Sequence, residues 1–172
     1  MSEVEKTTID VQPVAIRFGI IAAFVSVLSS VILFILNIEF NSISKWIPTL
    51  AMISIILAAQ KQIVKINAPH LFSLGKLFKV GFIITLIASI AMLVYFFLYS
   101  NYIAPDFMDK VLEISRAEMV EKGLSEEQIE TGIEMTKKFM SPISMMVISF
   151  IASVILGSLT SLIGAAIFRN EQ

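Results

Sequence analysis

The chain has 172 residues, 56% of them hydrophobic and 16% charged, with a formal net charge of −1. Soluble domains carry about 25% charged residues, so this composition excludes an ordinary water-soluble globule and fits three to four membrane-length apolar runs. The absence of cysteine excludes disulfides and thiolate metal sites, and a single histidine, His70, excludes a multi-histidine metal centre within one chain.

Residues 1–14 read as a cytoplasmic N-terminal tail ahead of a four-span membrane domain over 15–169. The first span, about 16–36, contains AIRFGIIAAFVSVLSSVILFIL and has no charge between Arg17 and Glu39. The stretch from Phe18 to Leu36 makes a helix of roughly 28 Å, close to the ~30 Å hydrocarbon core. A secretory signal peptide is the competing reading. The run is longer than the ~7–15 residues of a signal core, and Glu3, Glu5 and Asp10 precede it, so a retained span is expected.

The second span, about 46–66, is apolar only as far as Ala59 before QKQIVK. Extension to Ile66 gives adequate length, with Lys61 and Lys65 snorkelling to the interface. Pro48 suits a first helical turn and Trp46 a headgroup boundary. A re-entrant or interfacial helix is the alternative. The third span, about 78–100, and the fourth, about 143–168, have no charge between Lys79 and Asp106 or between Lys138 and Arg169. Both are long enough to cross with tilt.

Between spans three and four lies a charged insert, 105–140. Asp106 after Pro105 is a helix-start signal. Phe107, Val111, Ile114 with Met108, Leu112, Met119 recur at helical spacing, and Lys122-Gly123 reads as a stop. Ser125 three residues before Gln128 is a capping-box pattern opening a second helix, with Ile129, Ile133 and Met140 as its apolar edge. The expectation is an amphipathic helical hairpin. Pro142 implies a kink or boundary before span four.

NYIAPDF after the Tyr/Phe-rich third span, GLSEEQIE in the insert, SLIGAAIF in the last span and GKLFKVGF before span three resemble the bacterial membrane family known as domain of unknown function 4199. The resemblance covers roughly 15–169. It implies an integral membrane protein, typically from Bacteroidota, with no assigned activity. The chain departs from the family at its tail, where Arg169 alone precedes Asn170, Glu171 and Gln172 in place of a more basic end.

Lysine and arginine placement sets the expected orientation. With the N-terminus inside, the cytoplasmic segments hold Lys6, Arg17, Lys61, Lys65, Lys76, Lys79 and Arg169 against Glu3, Glu5, Asp10 and Glu171, a net +3. The opposite side then carries −4. Both termini are expected in the cytoplasm and the insert outside, in the cytoplasmic (inner) membrane.

Small residues repeat along three spans: Ser149, Ser153, Gly157, Ser161 and Ala165 in the fourth, Gly81, Thr85 and Ser89 in the third, and Ala15, Gly19, Ala22 or Ala23, Ser26 and Ser30 in the first. Gly19, Ser26, Gly81, Ser153, Gly157 and Ser161 are the helix-packing candidates, within the chain or across a homo-oligomer. A hydroxyl-lined path for a small solute is the functional alternative. Tyr95, Tyr99 and Tyr102 read as an interfacial aromatic belt, or a recognition surface for a sugar or peptide. Lys61, Lys65, Lys76 and Lys79 are candidate contacts for anionic headgroups, or plain topology determinants. Glu126 and Glu130 share a spacing that would hold a cation only weakly.

No nucleophile–base set, metal site or cofactor motif lies at membrane depth, so no enzyme, cofactor or nucleic-acid partner is expected. The expected partners are the bilayer and a membrane or periplasmic protein met through residues 106–140. A structural or accessory role follows, with a small oligomeric transporter or channel subunit as the alternative.

Overall fold

The computed structural model describes residues 10–41, 43–67 and 72–169. Among them the chain is all-helical, without a strand. Its four long apolar helices are each of a length and composition to cross a membrane. They are α1 (Gln12–Ile35), α2 (Ile47–Ile66), α3 (Leu74–Leu98, prolonged by a π-helical turn, Tyr99–Ile103) and the last helix, α6 (Pro142–Phe168). Between the third and last lie the shorter α4 (Phe107–Glu121) and α5 (Glu126–Phe139).

Local chemistry sets these limits. α1 starts a turn ahead of residue 16, because Pro13 suits a first turn and the Asp10 carboxylate accepts the Gln12 N–H at 3.0 Å. It stops where Asn37 takes φ +54°. There the Ile38 and Asn37 N–H groups bond Leu33 O (3.0 Å) and Phe34 O (2.9 Å), the paired closure that satisfies orphan helix carbonyls. A short 3₁₀ turn, Ser44–Trp46, leads into α2, whose Pro48 sits in the first turn. α3 starts ahead of residue 78 because Ser73 supplies a hydroxyl for the Lys76 N–H at 3.3 Å. Lys76 and Lys79 therefore belong to the helix. Pro142 marks a boundary: α5 ends at Phe139, and the Ser141 hydroxyl accepts the Ser144 N–H at 3.1 Å to open α6.

The chain forms two compact units, and α3 and α6 each contribute to both. The first, Met1–Ala91 with Ser153–Gln172, contains α1, α2 and the adjoining parts of α3 and α6. Its core includes Ala15, Ala22, Met52, Ile56, Ala59, Ile63, Leu77, Val80, Ile84, Ala88 and Ala165. Large apolar side chains instead lie outside: Phe24 is 66% exposed and Ile155 56%. In water that arrangement would be costly, but lipid is as apolar as a core, so close backbone approach decides which residues turn inward.

The second unit, Met92–Ala152, holds the end of α3, the π turn, α4, α5 and the start of α6. Phe107 at the head of α4 stands edge-on to Phe96 (5.3 Å) and Tyr99 (5.6 Å), tying α4 to the last turns of α3. Gly123 at φ +73° turns the chain after α4, with Leu124 N–H on Met119 O and Gly123 N–H on Val120 O. Ser125 then caps α5 through both bonds of a capping box. Ile129 is buried, whereas Met140, expected on the apolar edge, is exposed because it lies past the end of α5.

Candidate functional site

The densest polar constellation lies inside the first unit, where α2, α3 and α6 meet. Gln60 stands one turn after Ile56 on the buried face of α2 and is fully buried. Its amide NH2 donates to Leu77 O at 3.0 Å and Ser161 O at 2.9 Å, with Ser161 Oγ at 3.2 Å. The Ser161 hydroxyl in turn donates to Phe78 O at 2.8 Å. Two backbone carbonyls can only accept, so they fix which way the amide points. One side chain of α2 thus binds the backbones of two other helices.

The amide oxygen has no hydrogen-bond donor. It rests on Gly164, in the direction a Cβ would take there. A Cα–H contact of this kind compensates weakly. Any side chain at 164 would displace Gln60, and Leu57 Cδ2 would stand only 2.7 Å from the added carbon.

Above this knot, α3 and α6 make an antiparallel seam of small residues. A Cβ on Gly81 would meet Ser161 Cβ at 2.6 Å and Ile56 Cγ2 at 2.8 Å. One turn on, Gly157 faces Thr85, whose Cβ would lie 2.9 Å from an added carbon. Thr85 turns its hydroxyl back to Gly81 O at 2.8 Å. Ser89 and Ser153 close the series with a hydroxyl pair at 2.8 Å. The four-residue spacing on both helices brings 81, 85 and 89 against 161, 157 and 153 in register. The hydroxyls of Thr85, Ser89, Ser153 and Ser161 in the seam each have a hydrogen-bond partner.

The other positions are also placed. Gly19 packs on Ile87 of α3, with Cδ1 2.7 Å from an added Cβ, and Ser26 is buried. Ser149 is exposed and takes no part in the seam. Among the described residues no cluster of histidine, aspartate or glutamate is arranged to hold a metal.

A family model described as "Protein of unknown function (DUF4199)" matches residues 17–170. The chain belongs to this family. No curated protein and no solved structure matches it.

In this DUF4199 chain the matched stretch takes in Gln60, the α3–α6 seam and the whole α4–α5 hairpin. Lys61 and Lys65 lie exposed in the last turns of α2, and Lys76 and Lys79 exposed in the first turns of α3. His70 falls outside the described residues. Tyr99 departs from the belt expectation: it is 5% exposed, stacked on Tyr95 at 5.8 Å, whereas Tyr102 is 74% exposed. The π-helical turn adds one residue per turn and rotates Tyr99 and Tyr102 onto different faces.

Gln60 was hidden from sequence reasoning because it opens the polar run QKQ at the end of a marginal span. The signal was present in the register: 52, 56, 59 and 63 mark the buried face of α2, and 60 falls among them.

Proposed function

We propose that this DUF4199 protein is a structural or accessory subunit of the cytoplasmic membrane, with both termini in the cytoplasm. Its α4–α5 hairpin stands on the opposite side and docks a membrane or periplasmic protein. The lysines at the α2 and α3 ends support this orientation by the excess of basic residues that cytoplasmic loops carry.

The observation that carries the role is the finish of the hairpin. Both sides of its turn are closed by caps, and Arg116 of α4 pairs with Glu126 of α5 at 2.6 Å. Yet Val120 is 59% exposed and Leu124 38% exposed beside that turn. An ordered hairpin with an apolar tip is suited to a partner of matching shape. The partnered hydroxyls of the α3–α6 seam favour packing over a solute path.

The test is a photo-crosslinking residue at position 120 or 124, in native membranes with the chain at its natural level. The expected result is one foreign protein, captured near-stoichiometrically through both positions and lost in a Val120→Glu variant crosslinked from 124. Adducts only between copies of the chain would contradict the accessory role and make flux in liposomes the next assay.

A further inference from the structure

The base of the hairpin differs from its tip. α5 and the start of α6 belong to one unit, with only Met140 and Ser141 between the two helices. Three Cα–Cα steps lead from Phe139 to Pro142, so their Cα atoms lie within about 11 Å. α6 itself has 27 residues, about 40 Å of helix against a bilayer of ~40–45 Å including headgroups. Its first turns expose Ile143 (73%) and Val147 (51%), which belong in acyl chains. The C-terminal turn of α5 is therefore held at headgroup level by covalent geometry.

The side chains there match that level. Met135 and Phe139 lie one turn apart on the same flank, 58% and 65% exposed, away from buried Ile129. Lys137 and Lys138 accompany them in the last turn, and Lys138 Nζ stands 6.0 Å from the Phe139 ring centre. The N-terminal half of α5 carries Glu126, Glu127 and Glu130 instead, with Glu134 just past its middle. Charge thus runs from acidic to basic toward the start of the span, in the order that lipid phosphates favour.

We infer that the last turn of α5 is a membrane-surface anchor: Met135 and Phe139 enter the headgroup–acyl boundary while Lys137 and Lys138 bind lipid phosphate. This fixes the base of the hairpin on the bilayer and leaves its tip free. The inference rests on α6 crossing the bilayer, and not on which leaflet or which partner the hairpin meets.

The native chain has no cysteine, which permits single nitroxide labels on an otherwise unchanged protein. Variants Met135→Cys, Phe139→Cys, Glu130→Cys and Val120→Cys are labelled and reconstituted in vesicles of phosphatidylcholine with phosphatidylglycerol. Collisions with apolar oxygen are then compared with collisions with a polar nickel complex. Labels at 135 and 139 are expected to favour oxygen severalfold, and those at 130 and 120 to favour nickel. Adding Lys137→Glu and Lys138→Glu should shift the 139 label toward nickel. Equal nickel access at 139 and 130 would overturn the anchor and leave that flank to a protein partner. An unmoved 139 label in the double variant would overturn the phosphate contacts.

Discussion

Gln60 joins α2 to the backbones of α3 and α6 in the first unit. Its NH2 reaches two backbone carbonyls on different helices, while its oxygen lacks a donor. Single side-chain hydrogen bonds in membranes are worth about 0.6 kcal/mol on average, and an unsatisfied buried oxygen offsets part of that. Gln60→Met should therefore lose only about 1 kcal/mol in detergent-titration unfolding. Gln60→Glu tests the geometry more sharply, since a carboxylate would face carbonyl oxygens in a dry interior. That variant should lose clearly more stability than Gln60→Met in the same unfolding assay. Equal losses in the two variants would show that the amide does not contact those carbonyls. Glycines give a second contrast. Gly81→Ala forces a carbon onto Ser161 and Ile56 and should cost about 1–3 kcal/mol. Gly75→Ala meets nothing within 4 Å and should be neutral or stabilising by up to about 1 kcal/mol. The small-residue spacing of α3 and α6 was legible in the sequence. Which serine pairs with which glycine was not, because that depends on the axial offset of two helices far apart in the chain.

At the scale of elements, helix ends were the most legible feature, since capping is local chemistry. Gly123 after Lys122, and Ser125 before Gln128, bound α4 and α5 where short-range rules put them. Gly123→Ala would hold a Cβ at φ +73° at a cost of about 1–2 kcal/mol. The loss should be confined to the hairpin and appear as faster hydrogen exchange of the Leu124 amide, with the α3–α6 seam unchanged. Uniform acceleration over both units would contradict the division into two. The π-helical turn was not legible. Five residues, YSNYI, carry no proline or glycine, and Tyr99 there stands edge-on to Phe107 across the junction. A regular helix would have kept Tyr95, Tyr99 and Tyr102 on one face, which is what the belt expectation assumed.

At the scale of the whole molecule, apolar runs in the sequence marked all four candidate spans, including marginal α2. Part of its polarity has a structural reason, since Gln60 is buried inside the protein, while Lys61, Gln62 and Lys65 near its end are exposed. The proposed role joins these scales: a body closed by small-residue packing, and a capped hairpin carrying the working surface. That account stands on the side of the membrane the hairpin occupies. Glu127 is exposed in the first turn of α5, and the cysteine-free chain makes a Glu127→Cys variant specific. The direct measurement is labelling of that variant in spheroplasts with a membrane-impermeant thiol reagent. Full labelling from outside, with Lys61→Cys labelled only after lysis, is the predicted result. Labelling of position 127 only after lysis would put the hairpin in the cytoplasm and contradict the account.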